Sequence, residues 1–433
     1  MLDFFDFWTK KNPDLELLFI IKYPADRLAK ELEKRAWNYK VLDYSAWSGR
    51  KVNNRPEAVF RSARRNSKAI LEIDKIIHQF KPNMVMTNTI VTPWAAFAAK
   101  LNSLPHIWFV REHGDIDHGH TFETSRRETF EDIGLLSELV VTNSLALKDH
   151  VSKYMPKSKV MTLYTPFNIE KIQALSEHKA KSPFSKNAQI KAVMAGILKP
   201  SKGQDRAIEA ISQLKIEGYE AELCLVGYSS EPEYTIELKR LAKDKGVADR
   251  VHFVGKQANP YAFIKHADVG IMASKMEAFG RVTFEYLSLG KPVIGAASGG
   301  TLEIIKDGVN GLLYDPSKDD QIAQRLELYI KNPALLSKHH KTAEESARRM
   351  ISGEYSAEVL IKKINEVTEP GLYIYKLPNF TRRWLNAPRA AEEARFKKGV
   401  VHKLRIAKQL GPTATYHEAR KRIVSKMNQI KGL

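Results

Sequence analysis

Cysteine is all but absent from this 433-residue sequence: Cys224, inside the apolar run "AELCLVGY", is the only one. A single cysteine excludes an internal disulfide, and its setting leads us to expect a small packed hydrophobe, which suits a reducing cytoplasm. Long apolar runs are missing as well. Nothing approaches the ~20 apolar residues of a membrane span, and the N-terminal residues show no secretory pattern. Acid is scarce, with 50 Asp and Glu against 69 Lys and Arg, a net charge of +19. Such an excess favours an anionic partner: nucleic acid, an acidic membrane face or a phosphorylated substrate. The excess is uneven. Residues 371–433 hold 15 Lys and Arg against 3 Glu, which leaves +7 for the 370 residues before them.

What is present is the material of a globular protein, 43% hydrophobic and 9% aromatic and long enough for two or three domains. After an opening helical stretch, "MLDFFDFWTKKN", short β-rich runs alternate with helical patterns. "LELLFIIKY", "NYKVLDYS", "NMVMTN", "HIWFV" and "ELVVTNS" read as strands, and "ADRLAKELEKRA", the basic stretch Arg61–Phe80 and "TPWAAFAAKLN" as helices. Strands alternating with helices mean βαβ units and a parallel sheet covered on both faces. The polar, basic, proline-interrupted "SEHKAKSPFSKNAQ" reads as a linker. The alternation then restarts at "IKAVMAGIL" and runs through "AELCLVG", "RVHFVG", "VGIMAS", "PVIGAA" and "GLLYD", before two helices expected to pack back on the domains. We therefore expect residues 1–185 to form one doubly wound domain, without the usual opening strand and glycine turn. Residues 186–368 should form a second, and 369–433 a basic helical tail.

In "MEAFGRVTFEYLSLGKP", Glu277 lies in a loop just past the strand "VGIMAS". A helix is expected from about Phe279 to Leu289, stopped by Gly290 and Pro292. In an open parallel sheet, ligands bind beyond the carboxyl ends of the strands. The unpaired N–H groups of such a helix start favour an anion, and Gly280 would let a phosphate approach the backbone. Glu277 and Glu285 are each suited to a pair of vicinal hydroxyls. On spacing alone, a surface helix carrying ordinary glutamates also accounts for them. "MAGILKPSKGQ", with Gly196, Lys199, Lys202 and Gly203, makes a second strand–loop–helix turn fit for phosphate, and "ASGGTLEIIKDGVNG" a third, around Gly300 and Thr301. All three stand on one rim.

These segments together resemble the E-x7-E region and glycine–lysine loop of the retaining glycosyltransferases of the GT-B fold, glycosyltransferase family 4. The resemblance is close over Ile190–Pro316 and loose before it. It implies an α/β protein of GT-B architecture, two doubly wound Rossmann-like domains facing a cleft, that transfers a hexose from a nucleoside diphosphate sugar with retention. It places Glu277 on the donor sugar, Lys202 on the diphosphate, Glu285 on the ribose and the amides of Phe279, Gly280 and Arg281 on the distal phosphate. Gly255 would border the base, and Gly196, Lys199, Gly203, Gly300 and Thr301 would complete the donor site. One departure stands out: Ile197 occupies a position where the family often has arginine, and Lys199 or Arg281 would have to replace that cation. No cofactor and no divalent metal is implied, because Lys202 and the helix start already oppose the phosphate charge.

In the first domain "VREHGDIDHGHTFE" follows a strand end. His113, Asp115, Asp117, His118 and His120 match no defensible metal spacing, and capping of a polar loop accounts for them. The resemblance points to His113 as a cleft group touching donor or acceptor, with Arg111 and Glu112 on the acceptor side. Arg61, Arg64 and Arg65 read as a solvated face, or else as a flank to the acceptor or a contact for lipid phosphate. The tail mixes cations with Tyr373, Tyr375, Trp384 and Phe396, which suits an anionic membrane face, docking on the body or a partner, or, least well, nucleic acid. Two functional readings follow. One is a cytoplasmic enzyme, peripheral at the inner membrane face, acting on a cell-surface glycan or lipid-linked acceptor. The other is a non-catalytic subunit of the same fold that supports an active partner.

Overall fold

The computed structural model describes residues 1–367, except 50, 51, 54, 165, 166, 230, 319, 320 and 353–355, and residues 377–384. Its second half is a six-stranded parallel sheet in the order Val251–Gly255, Ala221–Val226, Ile190–Ala195, Val269–Met272, Val293–Ala296, Gly311–Tyr314. Such strands are buried on both faces and so are mostly apolar, as in the wholly buried Ala221–Val226, whose one charged residue, Glu222, accepts the Ser185 amide at 3.0 Å. Cys224 is completely buried within it, as its setting predicts. The winding reverses between Ile190–Ala195 and Val269–Met272, and a crevice opens beyond the carboxyl ends of strands at such a point. The glycine–lysine loop follows the first of these strands and the Glu277 loop follows the second.

The first half divides its strands. Val85–Thr87, His106–Val110, Leu139–Thr142 and Val160–Thr162 form one parallel sheet, while Leu18–Lys22 and Asn38–Leu42 pair only with each other among the described residues. The short strand Val160–Thr162 and the helices Arg126–Leu135 and Leu145–Val151 were not anticipated. Ser125 and Ser144, which cap those two helices through their hydroxyls, were the available signal. The opening helix Leu2–Lys11 buries Phe4, Phe5 and Trp8 against Ile107 and Phe109, together with Leu360 and Ile364 of the late helix Ala357–Asn365. The chain thus returns to its first half.

The crossing between halves comes earlier than the expected linker. Tyr164, Phe167 and the helix Ile169–Ser176 already pack in the second half's core, with Phe167 stacked on Phe284 at 4.1 Å between ring centroids. Aromatic side chains at 164 and 167 bury enough apolar surface to hold the crossing segment down, whereas a boundary near 185 follows only the polar composition. In the tail, Phe380 is completely buried among Trp47, Trp94, Phe97 and Trp384, and the carboxylate of Asp132 accepts the amides of Asn379 and Phe380 at 2.7 and 3.1 Å. This part of the tail docks on the body. Tyr373, Tyr375 and Phe396 lie outside the described residues.

His106 is fully buried, its ring nitrogens 2.9 Å from the Thr87 hydroxyl and 3.1 Å from that of Ser137, and burial pushes its imidazole down to about 3. A histidine depressed on folding contributes stability above its unfolded value of ~6.5 that is lost as pH falls below it, about 2 kcal/mol by pH 5. The urea midpoint is therefore expected to fall between pH 7 and pH 5, and His106→Gln should flatten that fall.

Candidate functional site

A cavity of about 320 Å³ opens between the two halves at their strand ends. One wall is built by the Met276–Arg281 segment and Lys202, the other by Asn88, Arg111, Asp117 and Asn143. The first wall follows from backbone geometry. Gly280, at φ 89°, is the N-cap of a helix that runs from Arg281 to Ser288, so the helix starts two residues later than expected. A left-handed residue cannot continue a right-handed helix, and Gly280 has no side chain with which to cap the following N–H groups. Phe279 and Gly280 thus form the approach to an uncapped helix start. The far end matches expectation, with Leu289 as C-cap and Gly290 at φ 65°.

The structure joins two residues that the sequence kept 75 positions apart. Lys202 Nζ donates to Glu277 Oε1, and both side chains are partly shielded from solvent. Arg281 Nε bonds Glu285 Oε1 at 3.1 Å, one helical turn on, while its guanidinium lies over the Phe167 ring. Burial holds the Glu285 carboxyl above its ordinary range, against the pull of Arg281 and Tyr261. Glu285 is 8% exposed and does not line the cavity. Gly196, Lys199, Gly203, Gly255, Gly300 and Thr301 do not line it either. Gly196 and Gly255 are exposed at the same rim, Gly203 is buried at the head of the helix Gln204–Ile216, and Thr301 is wholly buried. Gly300 works from behind: its amide donates to the Glu277 carbonyl at 2.9 Å.

On the opposite wall, three residues directly follow three adjacent parallel strands: Asn88 after Val85–Thr87, Arg111 after His106–Val110 and Asn143 after Leu139–Thr142. Arg111 Nε donates to Asn88 Oδ1 at 2.7 Å, and Asn143 Nδ2 donates to the Arg111 carbonyl at 2.9 Å. Burial, more than the opposing pull of Glu112, brings the Arg111 guanidinium down to about 10, still charged at neutral pH. Reading the sequence missed Asn88 and Asn143, although "MTNT" and "VTNS" each place an asparagine just past a strand end.

Two expected cleft residues sit elsewhere. His113 is 4% exposed, edge-on to His150 with ring centroids 4.7 Å apart, and burial lowers its imidazole. The backbone there is held by Asp117, whose carboxylate accepts the amides of His113 and Gly114 at 2.9 Å each and so starts the short helix Asp115–His118. Glu112 accepts the Ile90 amide at 3.1 Å and does not line the cavity, and burial raises its carboxyl. Asp115 pairs with Arg126 at 2.6 Å. The polar loop is thus occupied with caps and ion pairs, and no group of three or more potential metal ligands occurs among the described residues.

Residues 176–350 match the family model of glycosyl transferases group 1. The chain is 26% identical over 230 residues to N-acetyl-alpha-D-glucosaminyl L-malate synthase of Bacillus anthracis, an alignment covering 52% of this chain and 58% of that one. It is 27% identical over 225 residues to the lipopolysaccharide core biosynthesis glycosyltransferase LpsE of Rhizobium meliloti, covering 52% and 62%. The chain therefore spans about three-fifths of the length of these relatives. Among solved structures, Anabaena Alr3699/HepE in complex with UDP superposes with a TM-score of 0.62 at 20% identity, over 81% of this chain and 99% of that one. A glycosyltransferase from Rickettsia africae superposes with a TM-score of 0.63 at 20% identity, over 81% and 89%. The segment that matches this family model, residues 176–350, thus holds the paired lysine and glutamate beside an uncapped helix start at the sheet's switch point, in a chain of GT-B fold.

Proposed function

We propose that the protein moves a hexose from a nucleoside diphosphate sugar to a cell-surface glycan or lipid-linked acceptor, with retention and without a divalent metal. The observation that most supports this is the meeting of Lys202, Glu277 and the Gly280–Arg281 helix start on one cleft wall, facing Arg111. In this reading the diphosphate rests on the helix start, where N–H groups and the helix dipole oppose its charge, and Lys202 neutralises it further. Glu277 accepts donor-sugar hydroxyls. Arg281, an exposed side chain at the helix start, turns from Glu285 to the phosphate and leaves Glu285 able to accept ribose hydroxyls. Arg111 supplies from across the cleft the cation that Ile197 does not. The acceptor hydroxyl attacks the anomeric carbon on the face from which the diphosphate departs. The carbon–oxygen bond to phosphate breaks as the new glycosidic bond forms, and the acceptor's proton passes to the departing phosphate oxygen.

Among the described residues no helix is long and apolar enough to cross a membrane. Work in the cytoplasm, with the basic tail held to an anionic membrane face, belongs to the same proposal. The lipopolysaccharide function in the name of one relative favours a glycan or lipid-linked acceptor, and the UDP in one structural neighbour makes UDP-sugars the first donors to test.

A ligand that binds only the folded state stabilises it by about 2.7 kcal/mol at a hundredfold excess over Kd. We expect one series among UDP-, GDP-, ADP- and dTDP-sugars to raise the melting temperature by a few degrees, unchanged by EDTA and absent in Lys202→Ala. No shift with any of them would favour a non-catalytic subunit instead.

A further inference from the structure

We propose that Glu303 is a positioning residue for the transfer reaction, a clasp that locks the first half of the chain against the donor loop. Its carboxylate reaches the first half of the chain beside the cleft. One oxygen accepts the amide of Ala146 at 2.7 Å, and the other accepts the amide of Leu145 at 2.8 Å and the hydroxyl of Tyr164 at 3.0 Å. These contacts are 139 to 158 residues apart in sequence. Charge-assisted bonds of this kind are about twice as strong as neutral ones. They also complete the start of the helix Leu145–Val151, whose next two amides go to the side chain and carbonyl of Ser144.

On either side of the clasp the chain runs within three residues to the substrate walls. Toward the donor, Gly300 bonds the Glu277 carbonyl, and a Cβ there would lie 2.5 Å from the Ala278 carbonyl. The Glu277 loop therefore rests on the turn from which Glu303 projects. Toward the other wall, Leu145 follows Ser144 and Asn143, and Asn143 holds the Arg111 carbonyl. Tyr164, in the second half's core, ties the same carboxylate to the donor wall, its ring 5.5 Å from that of Phe279 between centroids. The carboxylate thus sets, together with Ala278 packed in the first half's core, how far Arg111 and Asn143 stand from Glu277 and Lys202, without lining the cavity itself.

This role rests on the glycosyl-transfer reading for its kinetics but not for its geometry, and the test separates the two. Spin labels at Lys68→Cys and Glu237→Cys, exposed positions on helices of the two halves, report the distance between them, since Cys224 is buried and does not react. The parent should give one narrow distance, and Glu303→Ala a broader, longer distribution with an unfolding midpoint within a few degrees. With a donor that is turned over, Glu303→Ala should lower kcat about 10- to 100-fold while donor Kd changes less than threefold. Glu303→Gln, which keeps the length and one acceptor oxygen, should fall between. An unchanged distance distribution overturns the clasp whether or not any donor is turned over. A joint loss of donor affinity, midpoint and kcat reduces Glu303 to a purely structural residue and also overturns it.

Discussion

Lys202→Ala is expected to lower kcat/KM for the donor by about 10²- to 10³-fold while the chain stays folded. The magnitude is that of removing one preorganised charge from a developing anion. Lys202 bears no part of the core: its side chain is 28% exposed, and its contact is Glu277. The lysine holds Glu277 in place, so its removal also releases the carboxylate meant to grip the sugar. The two residues should therefore behave as a unit. Glu277→Ala should cost a similar factor, and the double variant little more than either alone, because residues in one network are not additive. Steady-state kinetics on the three variants, with circular dichroism to confirm folding, decides the point. Fully additive losses would mean that lysine and glutamate act on the donor separately.

Gly300→Ala should abolish measurable donor binding and lower stability by about 1–3 kcal/mol, the usual range for overpacking. The reason is steric. The added methyl would meet the Ala278 carbonyl oxygen at 2.5 Å, the Phe279 Cα at 2.6 Å and the Phe279 carbonyl oxygen at 2.8 Å, all backbone atoms that no side-chain rotation can clear. The loop bearing Glu277 and the approach to the Arg281 helix would have to move, and with them the site. Calorimetric titration with the stabilising nucleotide and a urea curve measure both effects. Binding retained within threefold would show that the loop does not depend on this contact.

Local pattern carried much of this. The alternation of apolar strands and amphipathic helices located all six strands of the second sheet, and the loops after Ile190–Ala195 and Val269–Met272 already contained Lys202 and Glu277. What local pattern cannot carry is contact at a distance. The Lys202–Glu277 pair, the reach of Glu303 to Leu145 and the seating of the Glu277 loop on Gly300 each depend on tertiary packing over tens to hundreds of residues. The side chain of His113 is a related case. Its place after a strand end suggested the cleft, but Asp117 bonds the backbone there and the imidazole is packed against His150. The helix expected from Phe279 shows the opposite limit: the left-handed backbone at Gly280 places its start at Arg281. Asn88 and Asn143 were overlooked because asparagine after a strand is common in turns, and only the adjacency of three strands brings them together with Arg111.

Release of nucleoside diphosphate from a panel of sugar nucleotides, with a cell-envelope glycan or lipid extract as acceptor, decides whether the protein transfers sugar through Lys202 and Glu277. The account predicts that one donor yields nucleoside diphosphate and a glycosylated product with the parent protein in the presence of EDTA, and at least a hundredfold less with Lys202→Ala or Glu277→Ala. Equal release by parent and variants, or none with any donor that stabilises the fold, would contradict it.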